Sequence, residues 1–312
     1  MSLSTPPSDA IAALTPHQVE FLKALPKAEL HAHLNGSIPL STLQQLAKVY
    51  APSEADSGQT LSLSQSGIER LKKGAVFDDI HDVFGLFPAI YALTSTKEAL
   101  TRATDAVLAE FLEPKDGEAY PQATYLELRS TPKATAAMTR LEYVEIVLDA
   151  VEKYRPEQAA LIVCLDRRMS KEAADECVEA AVALKRKGRR VVGVDLCGDP
   201  TVSSYWTDEC SRCLEFSRWA MWSSSGAISR QRKPLGWASH FTSPRYFSLL
   251  FFADPPVLSI RQTVENTPED TLKLLSFEPD RLGHATFLND EAQASVVREK
   301  MTIEICLTSN FL

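Results

Sequence analysis

Two histidines one residue apart, His31 and His33, lie in LPKAELHAHLNGSI, an apolar stretch that ends in the polar turn Asn35-Gly36-Ser37. Side chains two apart on a strand point to the same side, so both imidazoles can aim at one point. Imidazole is a natural zinc ligand, and a catalytic zinc takes about three or four protein ligands plus an open position for water. The pair reads either as half of a metal site or as two ordinary histidines of a half-buried strand. Its place at a strand end favours the metal. Cys210-Ser-Arg-Cys213 also has zinc or redox spacing, but it is a single pair with no matching second half, which argues against a functional site there. His17 and His81 read as surface residues.

The elements that must position these groups follow from the apolar runs. KAELHAHL, ATYLELRS, AALIVCLDRR, RRVVGVDLCG, DRLGHATF and MTIEICLTS are short, nearly continuous apolar stretches bounded by polar or turn residues, the pattern of buried parallel strands. Between them, LEYVEIVLDAVEKY and SKEAADECVEAAVALKRKG carry apolar residues at helical spacing, the second stopping at Lys, Arg and Gly188. Such βα repetition predicts a parallel sheet.

Polar residues gather where these strands end: His31 and His33, Arg129 and Ser130, Asp166 and Arg167, Gly198 and Asp199, and His284. That edge builds the active site of a (β/α)8 TIM-type barrel, whereas a doubly wound sheet would show a Gly-rich first turn that is missing here. The expectation is an α/β chain with a helical lead-in over 1–24 and a partial barrel over 25–312. Only six strands are legible, with the fifth and eighth missing or scrambled. The segment 201–262 is Trp-rich and aperiodic and reads as an atypical insert.

Composition narrows the partners. Over 312 residues, 45% hydrophobic and 24% charged residues are globular values, and a net charge of -8 argues against a non-specific grip on nucleic acid. The first residues show no basic segment followed by an apolar one, so no signal peptide is expected. The longest apolar run, Tyr246 to Ile260, is broken by Asp254-Pro255-Pro256 and falls short of a membrane span. A cytoplasmic monomer with its six cysteines as thiols, and no membrane or nucleic-acid partner, is the expectation.

LPKAELHAHLNGS, YLELRSTPK, VVGVDLCGDP, DRLGHATFL and IEICLTSN, in that order, resemble the adenosine deaminase superfamily, and within it the adenosine deaminase-like branch of N6-methyl-AMP deaminases. The resemblance implies a zinc-dependent barrel that hydrolyses 6-substituted purine nucleoside monophosphates. It implies that His31 and His33 ligate zinc, with His33 also near the substrate, and that Asn35 contacts the substrate. Ser130, Thr131, Pro132 and Lys133 would hold the phosphate, and Asp166 and Gly198 would line the nucleoside pocket. His284 would stabilise charge as water attacks the purine. Tyr91 falls where related sequences often carry a histidine that touches the substrate. A Lys beside two hydroxyls at a strand end suits a monophosphate clamp, although a Lys after Pro is also an ordinary solvated turn.

The same resemblance implies two features that this sequence does not supply. The family pattern has a third zinc-binding His followed three residues later by a general-acid Glu, yet no His-x-x-Glu occurs between Gly198 and His284. It also has a zinc-binding Asp on a final strand after LTSN, and the sequence ends at Leu312 before one. Back-translating Gly236 to Arg245 and reading from the third base of the Gly236 codon permits Leu-Gly-Val-Thr-Leu-His-Ile-Ser-Glu. A splice donor at Arg245-Tyr246 and an acceptor at Gln262 would then rejoin the frame at Thr263. The expectation is that 201–262 includes a mis-spliced, frame-shifted segment. The other reading is a catalytically inactive product.

Overall fold

The structure is a computed structural model and describes residues 12–51, 59–74, 85–198, 257–261, 267–276 and 279–306. The chain divides into two compact units, one of Met1–Tyr154 with Cys306–Leu312 and the other of Arg155–Ile305.

The first unit opens with helix α1 (Pro16–Ala24), started by Pro16 and by a capping box in which Thr15 and Gln18 bond each other's backbone N–H groups. None of its residues is buried, and His17 is exposed as expected. Strand β1 (Ala28–His33) follows, then the single turn α2 (Leu34–Ser37) and helices α3 (Leu40–Val49), α4 (Gln59–Lys72), α5 (Phe87–Leu93) and α6 (Lys97–Leu112). Strand β2 (Tyr125–Ser130) and helix α7 (Arg140–Val151) complete the described elements. β2 runs parallel to β1, and all its residues are buried. Helix α6 buries Leu100, Ala103, Thr104, Val107 and Leu108, a stripe at helical spacing, and packs on α7. Thr139 caps α7 in a second capping box, whose Glu142 also pairs with Lys97 of α6 at 2.6 Å.

The second unit holds β3 (Ala159–Asp166), α8 (Lys171–Arg186), β4 (Val191–Cys197), β5 (Val257–Arg261), α9 (Pro268–Ser276), β6 (Arg281–Gly283), α10 (Asp290–Glu299) and β7 (Thr302–Glu304). The strands pair in chain order, each parallel to the next. All eight residues of β3 are buried, which is why the sequence shows an apolar run there instead of alternation. Helix α8 starts at the Ser170 cap and stops where Gly188 takes φ +79°.

The six strands expected from the sequence are all present. The expected absence of a fifth strand is corrected: Val257–Arg261, inside the segment read as an insert, pairs with β4 on one side and β6 on the other. Its sequence, VLSIR, follows two prolines and is rich in apolar and β-branched residues, a strand signal hidden within the longer apolar run from Tyr246. It contains no histidine. The rest of 199–266, including Cys210, Cys213 and His240, lies outside the described residues, as do His81 and 307–312. Among the described residues no helix is long and apolar enough to cross a membrane.

Candidate functional site

In the first unit the two histidines lie in a strand that is not regular. β1 and β2 keep register from Ala28–Tyr125 to Glu29–Leu126 and again at Ala32–Leu128 and His33–Arg129, so one extra residue of β1 is accommodated between Glu29 and Ala32. This is a bulge around Leu30 and His31, a device that re-aims a side chain at the cost of ladder hydrogen bonds. Side chains replace those bonds. The His31 backbone N–H donates to Glu29 Oε1 at 2.7 Å, and the fully buried Arg129 donates to the Leu30 carbonyl from Nε at 3.1 Å and from Nη2 at 2.8 Å.

The result is that the two imidazoles meet. Their ring centroids are 5.2 Å apart in a T-shaped arrangement, and Nε2 of each is buried. Two neutral imidazole nitrogens from alternate positions are a donor set suited to zinc. The turn after His33 buries Asn35, whose Nδ2 donates to Thr94 Oγ1 at 3.4 Å, while that hydroxyl donates to the Ile90 carbonyl at 2.9 Å.

Because β1 and β2 are parallel and His33 is in register with Arg129, the residues that follow Arg129 leave the ladder at the same edge as the histidine pair. Ser130 is buried, with Oγ 2.9 Å from the Tyr143 hydroxyl. Thr131 is half-buried, and the Pro132 carbonyl accepts from Arg140 Nη1 at 3.3 Å. Lys133 Nζ stands 3.8 Å from the centroid of the Tyr91 ring, a cation–π contact that joins two of the predicted site residues. Tyr91 is in turn backed by Phe87, at 5.7 Å between ring centroids.

In the second unit, Asp166 at the end of β3 is buried and clamped by Arg168, whose backbone N and Nε each lie 2.9 Å from Oδ1 and whose Nη2 lies 2.5 Å from Oδ2. Gly198 follows β4 with φ +96°, and a Cβ there would stand 2.8 Å from Asp166 Oδ1 and 3.1 Å from the Arg167 nitrogen. Only glycine fits that position. Arg167 Nη1 donates to the Gly198 carbonyl at 2.9 Å, so strand end and turn are tied together.

His284 is buried just beyond β6 at φ 63°, and Ala285 follows at φ 50°. Left-handed backbone at a non-glycine residue is costly and tends to occur at functional sites. Here the His284 N–H donates to the Glu304 carbonyl at 3.0 Å, and the Glu304 side chain pairs with the buried Arg281 at 3.3 Å.

Each predicted site residue therefore sits at or beyond the C-terminal end of its strand, or on α2 or α5 in the first unit. Within the first unit His31 meets His33 and Tyr91 meets Lys133; within the second, Asp166 meets Gly198. Sequence reasoning missed the supporting groups Glu29, Thr94, Arg168 and Glu304. It noted Arg129 as a strand-end residue without giving it a role. Thr94 and Glu304 act through partners distant in sequence, whereas Glu29 and Arg168 act on a residue two positions away, through turns and a bulge that residue types alone do not mark.

The family model described as Adenosine deaminase matches residues 26–214. The adenosine deaminase-like protein of Drosophila pseudoobscura pseudoobscura is 32% identical over 297 residues, 93% of this chain and 73% of that protein. The N6-methyl-AMP deaminase of Homo sapiens is 30% identical over 309 residues, 95% of this chain and 72% of that protein. Among solved structures, Arabidopsis ADAL complexed with IMP superposes with a TM-score of 0.65 at 28% identity, covering 93% of this chain and 74% of that one.

Proposed function

This chain belongs to the adenosine deaminase family, and we propose that it is a zinc-dependent hydrolytic deaminase of 6-substituted purine nucleoside monophosphates, converting N6-methyl-AMP and water to IMP and methylamine. The observation that carries the reading is the convergence of the His31 and His33 rings at the end of a bulged β1. Two further facts support it. Relatives that match over most of the chain are named N6-methyl-AMP deaminases, and a similar structure was solved with IMP, a purine nucleoside monophosphate.

Under this proposal His31 and His33 would hold the zinc, which when bound supplies Lewis-acid activation of the attacking water. The other roles, the proton donor apart, fall to the chain's own side chains. Lys133 provides the positive charge for the 5′-phosphate, with the Ser130 and Thr131 hydroxyls as donors, Pro132 shaping the turn and Tyr91 steadying the ammonium from below. Asn35 hydrogen-bonds the substrate, and His33 contacts it. Asp166, oriented by Arg168, accepts a hydrogen bond from the nucleoside, and Gly198 leaves room for it. His284, fixed by Glu304, stabilises negative charge as it develops on the attacking oxygen. A proton donor for the purine ring is the one role that no residue of this sequence fills: no His-x-x-Glu occurs between Gly198 and His284, and the frame-shift expectation would place that Glu in another reading frame.

A second reading is favoured by one observation: β5 carries VLSIR, and no His-x-x-Glu occurs between Gly198 and His284. On that reading the chain is a catalytically inactive product. Zinc content and nucleotide binding separate the two. The first reading expects bound zinc that is lost in His31→Ala and in His33→Ala, with IMP bound more tightly than inosine. A folded chain that binds neither zinc nor IMP would leave only the second.

A further inference from the structure

Independently of that reading, we propose that Cys164, Asp195 and Cys197 form a second, sulfur-rich metal site within the second unit, suited to a thiophilic divalent cation such as zinc or cadmium. The three residues come from β3 and β4, and their ligand atoms all lie within 4.8 Å of one another. The register explains why. Cys164 is the direct partner of Asp195, and Cys197, two residues further along β4, points to the same side. All three are buried, at 0%, 0% and 6% exposure.

The distances suit a cation. A tetrahedral zinc with ordinary Zn–S and Zn–O bonds spans sulfur to oxygen by about 3.6 Å. Cys164 Sγ already lies 3.5 Å from Asp195 Oδ2, to which the thiol donates a hydrogen bond that a metal would replace. A Cys164–Cys197 disulfide is disfavoured, because a diagonal pair on neighbouring strands separates the Cα atoms by roughly 8 Å, beyond the reach of a disulfide. Binding is balanced by release of a proton to solvent from each thiol that ligates.

The site is tested in the full-length chain carrying Cys210→Ser, Cys213→Ser and Cys306→Ser, which removes the other thiols except Cys177. Cadmium titration should give a thiolate-to-metal absorption band that saturates at one equivalent. The band should be lost in Cys164→Ser and in Cys197→Ser, and Asp195→Asn should weaken binding by at least about tenfold. Should those substitutions unfold the chain, X-ray absorption on the cadmium-loaded parent decides the matter: two sulfur neighbours and at least one oxygen support the site. Absence of the band in the folded parent, its survival in Cys164→Ser, or a metal with one sulfur neighbour or none would overturn it.

Discussion

Glu29 accepts a 2.7 Å hydrogen bond from the backbone N–H of His31, closing the bulge that turns His31 toward His33. Glu29 is thus a positioning residue for the imidazole pair. Groups that orient metal ligands are worth about 10–100-fold in metal affinity. Glu29→Ala should weaken zinc binding by that amount, whereas Glu29→Gln, which keeps an acceptor oxygen, should recover most of it. Chelator competition measures both, and equal affinities in all three proteins would remove Glu29 from the site.

Lys133 lies over the Tyr91 ring at the mouth of the proposed phosphate site. A charge-assisted hydrogen bond contributes about 1.5–3 kcal/mol, roughly tenfold to a hundredfold in affinity. Partial exposure of Lys133 sets the expectation toward the lower end. Lys133→Met should weaken IMP binding by about tenfold and leave inosine binding nearly unchanged, as read by calorimetry. An equal loss for both ligands would mean that Lys133 supports the fold rather than the phosphate.

Acid stability should report the α6–α7 contact. The Lys97 ammonium, helped by the Thr139 backbone N–H and hydroxyl, holds the Glu142 carboxyl at about 2, below its ordinary 4.5. A carboxyl lowered by folding stabilises the native state fully above its unfolded pKa and loses that contribution as pH falls through the folded one. Urea midpoints of the parent and Glu142→Gln should therefore differ above pH 4.5 and converge as the pH approaches about 2. A gap that stays constant across this window would exclude the ionised carboxylate as its source.

Much of the fold was legible because buried parallel strands and capped helices leave strong local signals. The runs at 125–130 and 159–166 are apolar throughout, and Thr139 and Ser170 mark helix starts as caps do. β5 was hidden because five residues of strand were embedded in a longer apolar run after a Pro-Pro pair. The candidate site could be named from residue types at strand ends, where His31, His33, Asp166 and His284 stand, with Lys133 added by the family resemblance. What holds them in place was not legible. The bulge at His31 and the left-handed backbone at His284 depend on strand register and on partners distant in sequence, and the Arg168 clamp, though only two residues from Asp166, depends on how the chain turns after β3.

The sequence between Gly198 and His284 should be explained at the level of its RNA. Sequencing the transcript across this region should reveal a frame that encodes Thr-Leu-His-x-x-Glu, followed by a removable segment that ends near Gln262 and takes Val257–Arg261 of β5 with it, the recovered frame supplying the fifth strand in its place. Genomic DNA without such a frame would make the segment native and end the frame-shift account.

The central claim is tested most directly by following methylamine release from N6-methyl-AMP, alongside ammonia release from AMP and adenosine, with the zinc-loaded protein encoded by the sequenced transcript. The account predicts turnover of N6-methyl-AMP to IMP with kcat/KM at least about tenfold above that for adenosine, the loss of the phosphate contact alone being worth that much. Equal or faster turnover of adenosine, or no methylamine from folded, zinc-loaded protein, would contradict it.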